Sequence, residues 1–325
     1  MDVLYTVNDK YLDIMLVSLC SLVENSSNSE IRLHVVTSNF SLENYKKLED
    51  FTNLMGIDLT IYPLEDNPID RYNIPDWHGT QIANARLFYP RIIGEKNSSL
   101  SNLLYLDADT IVVSDITSIE RFKDSPVSAC LDLSTFRAYK KNLGLNDYFN
   151  SGVIYFNIDK FLNLEIEDRI LSFRRESDIK LSFPDQDCFN VVLKDEISEL
   201  PFEYNMPPYP YLFGNIGNRL FYNPMLRDVS RKEVIDASKR PVVLHSYGCA
   251  NIKPWSINKI NPFNGYFLKY IDRVNPDFEL EELSSFKGVL ANHPHIFNSL
   301  LLARSYIPNK LESKVRKLSL DTFHK

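Results

Sequence analysis

The sequence predicts an α/β fold with a mostly parallel central sheet, and three observations support this prediction. Short apolar runs alternate with segments of helical periodicity, an order typical of parallel sheets covered by helices. The runs Val3–Val7, Ile31–Thr37 and Ile57–Leu64 have the length and composition of buried strands. Polar residues such as Asn8 and Asp107 directly follow apolar runs, at the strand ends where parallel sheets bind ligands.

Helices are predicted between these strands. Tyr11–Val23 has helical length and periodicity, and Ser41 is of the residue type that caps the N-terminus of a helix, here one that runs to Leu54. Gly56 is expected to end that helix. The periodicity predicts one further helix over Thr80–Ile93.

The second half of the chain is predicted to be less regular. Strands are expected over Leu103–Val113, Val127–Leu133, Val153–Asn157 and Val242–Ser246. Helices are expected over residues 159–176 and 184–193, and a long ordered loop over Pro201–Phe221. From Pro262 onward the chain reads as helical and amphipathic, so we expect a main domain over residues 1–260 and a helical C-terminal region over residues 261–325.

Composition excludes few functions but disfavours nucleic acid as a partner. The chain has 325 residues and a net charge of −7, whereas nucleic-acid binding relies on clustered positive charge. The N-terminus does not resemble a signal peptide, and no window reaches the roughly 18 apolar residues of a membrane span. We therefore expect a cytoplasmic protein that is soluble or peripheral to a membrane.

Asp107 and Asp109 are the strongest chemical signal in the sequence. They follow the apolar run Leu103–Leu106, and two residues apart on an extended chain they point to the same side. Burying two carboxylates together is costly unless a positive charge neutralises them. Hard oxygen ligands suit Mg²⁺ or Mn²⁺, and such an ion can also bridge a diphosphate. The pair predicts a divalent metal site, with a polar turn after a buried strand as the alternative.

A second group of polar residues follows the last predicted strand. His245 is a candidate third metal ligand through its neutral imidazole. Gly248 would allow the backbone to approach phosphate oxygens, and Lys253 would supply a point charge to a diphosphate. A core histidine and a surface lysine are the alternative, which we disfavour because the acidic pair is present.

Candidates for sugar contacts lie at two further element starts. Asp185 and Gln186 open the predicted helix at 184–193, where they would bind sugar hydroxyls or face an anomeric carbon. Capping the helix dipole is the alternative, above all for Asp187. Asn150 lies before a strand, where it would orient a hydroxyl or make a turn.

Taken in order, these motifs resemble glycosyltransferase family 8, and in particular its bacterial lipooligosaccharide galactosyltransferases. The resemblance covers roughly residues 1–260 and rests on the motifs Val3–Asp9, Asn84–Leu87, Tyr105–Asp109, Ala129–Asp132, Tyr148–Gly152, Asp185–Asp187, and His245 with Gly248 and Lys253–Trp255. It implies the GT-A fold, a Rossmann-like nucleotide-diphospho-sugar transferase architecture. It also implies Mn²⁺-dependent (or Mg²⁺-dependent) transfer of galactose or glucose from a UDP-sugar to a surface glycan or lipid-linked saccharide, with retention of configuration.

The resemblance implies roles for individual positions. The metal ligands would be Asp107, Asp109 and His245. The donor nucleotide sugar would be held by Thr6, Asn8, Lys10, Arg86, Ser151, Gly248 and Lys253. Catalytic positions around the donor sugar would be Asp132, Asn150, Asp185 and Gln186, and His78 would face the acceptor. Because the amide of Gln186 is a poor nucleophile, we favour front-face attack through an oxocarbenium-like pair over double displacement.

Two departures from the family pattern keep alternatives open. Asn8 stands where relatives often have Asp, although an Asn carbonyl can still accept a bond from the uracil N–H. Lys253 follows Gly248 by five residues, where the family usually has three. One alternative is a non-catalytic nucleotide-sugar-binding partner or scaffold. The other is a sugar nucleotidyltransferase, which the lack of a Gly-rich phosphate loop after the first strand disfavours.

The C-terminal tail is basic. Residues 304–325 contain six Lys or Arg against two acidic residues, which is +4 in a chain of net −7. Leu311, Val315, Leu318 and Thr322 would share one side of a helix, and a basic amphipathic helix can lie on an anionic membrane surface. Packing on the protein body is the alternative. We favour membrane contact through residues 305–325, at the cytoplasmic face.

Overall fold

A computed structural model describes residues 1–27, 30–66, 74–76, 79–135, 137–212, 229–247, 253–257 and 260–283. The strands in these ranges are β1 (Asp2–Asn8), β2 (Arg32–Ser38), β3 (Asp58–Pro63), β4 (Asn102–Leu106), β5 (Thr110–Val112), β6 (Val127–Leu131), β7 (Phe149–Asn157), β8 (Ile197–Glu199) and β9 (Val243–His245). The α-helices are α1 (Leu12–Glu24), α2 (Leu42–Met55), α3 (Tyr89–Lys96), α4 (Arg137–Asn142), α5 (Ile158–Asn163), α6 (Ile166–Glu176), α7 (Pro184–Val192), α8 (Tyr209–Leu212), α9 (Arg231–Ser238) and α10 (Asn264–Val274).

Seven of these strands form one mixed sheet in the order β3-β2-β1-β4-β7-β6-β8. The pairs β1–β2, β2–β3, β1–β4 and β6–β8 are parallel, whereas β7 runs antiparallel to both β4 and β6. The predicted α/β class with a mostly parallel sheet is therefore confirmed. Parallel pairing brings the carboxyl ends of β1, β2 and β4 to one edge, which is the edge where the functional residues lie.

Apolar side chains cover both faces of the sheet, which explains the unbroken apolar runs in the sequence. Tyr5 and Leu104 contribute to a core on one face, together with α1 and α10. Their strand neighbours Leu4 and Tyr105 contribute to the core on the other face, with α3, α5, α6 and α7. Successive strand residues thus enter different cores, as the period of two requires.

The acidic pair divides what the sequence predicts as one strand over residues 103–113. The strand β4 ends at Leu106 and belongs to the large sheet, whereas β5 pairs antiparallel with β9 in a separate two-stranded sheet. The N–H of Thr110 donates to the carbonyl of Asp107 at 3.2 Å and closes a turn between the two strands. A turn at this place redirects the chain, so the single-strand prediction was wrong.

Two predicted helices are also divided. The segment predicted as a helix over residues 80–93 is a 3₁₀-helix at Ile82–Leu87 followed by α3, which has Pro90 in its first turn. Proline is tolerated there because the first N–H groups of a helix have no intrahelical partner, but it cannot continue a helix interior. The segment predicted over residues 159–176 is divided at Glu165, whose φ of 50° is incompatible with a continuous α-helix.

Three other boundaries refine the predictions. Ser41 caps α2 as predicted, because its hydroxyl accepts from the N–H of Asn44 at 3.2 Å. The strand β7 begins at Phe149, four residues before the predicted start, and so includes Asn150. The described part of the predicted loop at 201–221 contains a 3₁₀-helix, Phe202–Tyr204, and the short helix α8.

The chain beyond residue 260 is described as far as residue 283. Its helix α10 packs against α1, because Phe267, Tyr270 and Ile271 share the core that α1 enters. Arg273 and Lys269 of α10 form ion pairs with Glu24 at the end of α1. Within the described ranges, no helix has the length and hydrophobicity needed to cross a membrane. The basic tail at 305–325 lies outside the described residues.

Gly56 provides a test of how the sequence ends α2. Its φ of 66° is in the left-handed region, and an added Cβ would contact nothing within 4 Å, so a substitution there strains only the backbone. We expect Gly56→Ala to lower the free energy of unfolding by about 1 kcal/mol. Gly56→Asn should cost less, because Asn tolerates this conformation. Urea denaturation measures both, and equal losses for Ala and Asn would contradict the backbone explanation.

Candidate functional site

The pairing of β5 with β9 brings the three predicted metal ligands together. Asp107 and Asp109 lie in the turn between β4 and β5, and His245 lies opposite Thr110 in the β5–β9 ladder. The Nε2 atom of His245 is 3.2 Å from Oδ1 of Asp109 and 3.5 Å from Oδ2 of Asp107. One ligand atom from each of the three residues lies within 4.8 Å of the other two. The sequence separation of these residues therefore does not prevent a compact cluster.

Each carboxylate of the cluster uses its two oxygens differently. Oδ1 of Asp107 is 2.9 Å from Nη1 of Arg86 and accepts from the Tyr105 hydroxyl at 2.6 Å. Oδ2 of Asp109 accepts from the ammonium group of Lys253. The remaining oxygen of each carboxylate faces His245. Two fixed cations thus neutralise the outer oxygens and leave the inner oxygens directed at a common point.

The ionisation of these groups follows from their burial and pairing. Burial by itself raises the pKa of Asp109, but Lys253 and His245 outweigh it and hold that pKa well below its usual range. Burial lowers the pKa of Arg86, but Asp107, with Tyr105 and Asp185, raises it above its ordinary value. The Arg86 guanidinium also lies 4.7 Å from the centre of the Tyr105 ring. Asp109 and Arg86 are therefore charged at neutral pH.

The cluster fits a divalent metal ion in donor type and in space. Two carboxylate oxygens and one imidazole nitrogen are suitable ligands for Mn²⁺ or Mg²⁺. The backbone of Gly152 passes so close that an added Cβ would lie 2.0 Å from Cε1 of His245 and 2.7 Å from Oδ2 of Asp107. Only glycine leaves room here for the imidazole and the carboxylate to keep these positions.

The predicted sugar-contacting residues form a second, hydrogen-bonded cluster beside the first. Ser151 donates through its hydroxyl to Oδ2 of Asp185 at 2.9 Å and through its N–H to Oε1 of Gln186 at 3.0 Å. Asn150 and Gln186 both donate to Oδ2 of Asp132, each at 3.1 Å. All five residues are at most 8% exposed. Strand β7 supplies two of these residues and the first turn of α7 supplies two more.

Arg86 connects the two clusters. Its Nε is 3.3 Å from Oδ2 of Asp185, and its Nη1 donates to the carbonyl of Ser151 at 2.9 Å while also contacting Asp107. The 3₁₀-helix that carries Arg86 has the buried residues Ile82, Ala85 and Leu87 on its packed side. Arg86 is itself only 7% exposed, so its position between the clusters is fixed by packing.

The residues predicted to contact the nucleoside lie at the carboxyl end of β1. The Thr6 hydroxyl is within 3.1 Å of the Tyr105 hydroxyl, so Thr6 is engaged inside the protein. The side-chain Oδ1 of Asn8 is buried and has no hydrogen-bond partner among the described residues. Lys10 is exposed in a 3₁₀-helix after β1, and Tyr11, 39% exposed, lies edge-on to Trp255 at 6.0 Å. Gly248 and His78, also predicted as site residues, lie outside the described residues.

Asp187 has a structural role. It is fully buried and accepts hydrogen bonds from the hydroxyls of Tyr139 and Tyr148 and from the backbone N–H groups of Ser182 and Phe183. These four donors hold the segment before α7 in place. These contacts support the alternative in which Asp187 serves the start of its helix.

Two residues of the site were not identified from the sequence. Tyr105 holds Asp107 through its hydroxyl, and its place inside the apolar run before the acidic pair gave no reason to expect a polar contact. Asn205 places its amide oxygen, an acceptor, 2.8 Å from Nδ1 of His245. The one signal that pointed to Asn205 was the length of the predicted loop at 201–221, because long loops in compact domains are often functional.

The mixed sheet, with polar clusters at its strand ends, has the GT-A fold that sugar transferases use. The solved structure of the galactosyltransferase LgtC, in complex with donor and acceptor sugar analogues, is similar in fold: the TM-score is 0.70 at 22% identity, over 85% of this chain and 96% of that one. The chain belongs to glycosyl transferase family 8, whose family model matches residues 2–259.

Curated relatives agree with this assignment. The chain is 25% identical over 269 residues to general stress protein A of Bacillus subtilis, which covers 81% of this chain and 88% of the relative. It is 26% identical over 213 residues to a lipopolysaccharide 1,2-glucosyltransferase of Escherichia coli, over 63% of this chain and 62% of that protein. The chain is a hexosyltransferase, which favours catalysis over the scaffold and nucleotidyltransferase alternatives.

Gly152 offers a direct test of the cluster geometry. In Gly152→Ala the new methyl group would displace His245 and Asp107. We expect the affinity for Mn²⁺, measured from the free-ion signal in electron paramagnetic resonance, to fall by about tenfold or more.

Gly94→Ala is the matched control for Gly152→Ala. Its added Cβ would lie 2.5 Å from Cγ2 of Ile158, away from the site, so it should reduce stability without changing the affinity for Mn²⁺. Equal Mn²⁺ affinities in the wild type and Gly152→Ala would contradict the described cluster.

Proposed function

We propose that the chain transfers galactose or glucose from a UDP-sugar to a saccharide acceptor, with retention of configuration and with Mn²⁺ as the preferred metal. The observation that carries this proposal is the position of the cluster of Asp107, Asp109 and His245 directly beside the polar cluster around Gln186, with Arg86 between them. A diphosphate held at the first cluster would present its sugar to the second.

The first cluster would bind the diphosphate end of the donor. Asp107, Asp109 and His245 would hold a divalent cation, which offsets the charge that develops on a leaving diphosphate. Lys253 lies beside Asp109 and would add a second positive charge near the phosphates. Arg86 is charged and fixed, and it would contact the donor where sugar and diphosphate meet. Preorganised charges of this kind stabilise a transition state because they need not reorganise during the reaction.

The end of β1 would bind the nucleoside. The side-chain oxygen of Asn8 is an acceptor that has no donor in the described part of the chain, and the N–H of uracil would supply one. The exposed fraction of Tyr11 and the nearby Lys10 offer additional contact surface at the same strand end. This acceptor supports UDP as the donor nucleotide even though relatives often carry Asp at this position.

The hydrogen bonding of Gln186 supports front-face attack. Its Oε1 accepts from the N–H of Ser151 at 3.0 Å and from Nδ2 of Asn150 at 3.2 Å, so the oxygen that would act as a nucleophile is already engaged. An amide is in any case a weak nucleophile. We infer that Gln186 stabilises positive charge on the sugar, while Asp132, Asn150 and Asp185 orient the sugar hydroxyls. The leaving diphosphate would accept the proton of the acceptor hydroxyl.

The names of the relatives set the range of donors and acceptors that we propose. One relative is a lipopolysaccharide 1,2-glucosyltransferase, and the solved structure of similar fold is a galactosyltransferase. We therefore propose a hexose donor of either kind and a surface-glycan or lipid-linked saccharide as the acceptor. An enzyme with these substrates would work in the cytoplasm, at the inner face of the membrane.

Hydrolysis of nucleotide sugars without acceptor tests the donor and the metal together. We expect one UDP-hexose to be hydrolysed in the presence of Mn²⁺ and not in the presence of chelator. Asp109→Asn removes one charge from the metal cluster and should lower kcat by about 100-fold. Asp236→Asn changes a surface aspartate that pairs with Lys239 and serves as the control with wild-type turnover. Turnover that chelator does not affect would contradict the proposed metal site.

We also propose a division of the chain into a catalytic domain over residues 1–260 and a helical C-terminal region over residues 261–325. The described part of that region, residues 261–283, contains the helix α10, which packs on α1. The tail at 305–325 carries a positive charge that would attract it to an anionic membrane surface. The saccharide acceptor of the transfer reaction would be located at that surface.

Deletion of residues 305–325 tests the membrane contact. The full chain should sediment with vesicles that contain anionic lipid and should be released by high salt, because the attraction is electrostatic. The truncated chain should remain in solution and should keep its acceptor-free hydrolysis activity. If the truncated chain still sediments with the vesicles, the tail is not the membrane contact.

A further inference from the structure

Asn205 lies between the cluster of Asp107, Asp109 and His245 and the cluster around Gln186. It is 1% exposed and follows the 3₁₀-helix Phe202–Tyr204. The adjacent Met206 pairs with β9: its N–H donates to the carbonyl of Val243 at 2.8 Å, and its carbonyl accepts from the N–H of His245 at 2.9 Å. This backbone pairing places the side chain of Asn205 beside the His245 ring.

The side chain of Asn205 makes one contact to each cluster. Its Oδ1 lies 2.8 Å from Nδ1 of His245, the ring nitrogen that points away from the two aspartates. Its Nδ2 donates to Oδ1 of Asn150 at 2.8 Å. Asn150 in turn donates to Asp132 and Gln186. A continuous chain of hydrogen bonds therefore joins a candidate metal ligand to the sugar-contacting residues.

One backbone N–H sets the direction of every bond in this chain. The N–H of Gly152 donates to the amide of Asn150 at 3.0 Å, and a backbone N–H can only donate, so the accepting atom is Oδ1 of Asn150. The atom of Asn205 that contacts this same oxygen must then be its NH₂ group. Asn205 is left with its carbonyl oxygen facing His245, and Nδ1 of His245 must carry the hydrogen.

The tautomer that follows is the one a metal ligand requires. With its hydrogen on Nδ1, a neutral imidazole has a lone pair on Nε2, and Nε2 is the atom that faces Asp107 and Asp109. Metal-binding histidines are commonly fixed in this way by an acceptor at the other ring nitrogen, which also sets the orientation of the ring. A lone pair aimed at two carboxylate oxygens is repelled by them, and a metal ion between the three atoms removes that repulsion.

We propose that Asn205 is a positioning residue of the transfer reaction, which holds His245 ready for the metal with its carbonyl oxygen and holds Asn150 in the sugar pocket with its NH₂ group. The proposal rests on the metal site described under the proposed function. Its two halves are separable, because a substitution can keep the acceptor and remove the donor.

Two substitutions at Asn205 separate these halves. Asn205→Leu has similar volume and removes both contacts, so it should raise the Kd for Mn²⁺ by about 10- to 100-fold. Asn205→Asp keeps an acceptor for His245 but places a carboxylate oxygen against Oδ1 of Asn150. We expect it to retain wild-type Kd for Mn²⁺ or a lower one, and to lose kcat by about tenfold or more. This difference between Kd and kcat would not arise from a general loss of stability.

Asn190 provides the matched control. It is likewise 1% exposed and its amide holds the backbone of Phe149 and the carbonyl of Gln186, with no contact to His245. Asn190→Leu should reduce stability while leaving the Kd for Mn²⁺ unchanged. A Kd raised as much in Asn190→Leu as in Asn205→Leu would overturn the proposal, because general loosening would then explain both.

The hydrogen on Nδ1 of His245 can be observed directly. The chain has six histidines, so selective ¹⁵N labelling of histidine gives few signals. In the Mg²⁺-loaded protein we expect a protonated Nδ1 in His245, assigned by its absence from His245→Gln, and a shift or loss of this signal in Asn205→Leu. A signal that is unchanged in Asn205→Leu would overturn the assigned hydrogen bond.

The outcomes distinguish this proposal from the proposed function. If the wild-type chain does not bind Mn²⁺ or Mg²⁺, the metal site itself is wrong and the role of Asn205 falls with it. If the wild type binds Mn²⁺ and Asn205→Leu binds it equally well, only the role of Asn205 is wrong. Should Asn205→Leu fail to fold, Asn205→Asp carries the test, and a Kd for Mn²⁺ raised above wild type in that variant would refute the proposal.

Discussion

Two aspartates share one turn in this protein, and neutralising them is the constraint on which the site depends. Asp107 and Asp109 are held close together at the edge of a buried sheet, where like charges repel strongly. Arg86 and Lys253 neutralise one oxygen of each. Arg86 comes from a 3₁₀-helix before the turn, and Lys253 from the segment after β9. Elements from three parts of the chain must therefore fold together before this turn is stable.

The same constraint explains why the small β5–β9 sheet exists. The strand β4 must stay in the large sheet to place Asp107, whereas β5 must leave that sheet to pair with β9 and bring His245 alongside. Two buried hydrogen bonds connect this turn to helix α1. The Ser18 hydroxyl of α1 lies 2.8 Å from the Thr110 hydroxyl, and the Thr110 hydroxyl donates to the carbonyl of Asp107 at 2.8 Å. Helix α1 thus supports the site as well as the core.

The cluster around Gln186 relies on amides more than on charges. Asn150, Gln186 and Asn205 each donate and accept, so one fixed N–H determines the direction of a whole network. Such a network is rigid because reversing one member would leave several buried groups unpaired. In the proposed function, rigidity of this kind would preorganise the cluster for a charge that develops only during the reaction.

The sequence by itself determined the α/β class, most strand positions, the caps at Ser41 and Gly56, and the residue types of the site, because these depend on local periodicity and on chemistry that each residue carries alone. It did not determine where the predicted helices over Thr80–Ile93 and residues 159–176 are interrupted. Single residues such as Pro90 interrupt a helix even where the apolar periodicity continues. Only the tertiary structure decided that Asp187 serves the fold, that Asn205 faces His245, and which carboxylate oxygens remain for a metal. These outcomes depend on packing between residues distant in sequence, and on side-chain directions that follow from it.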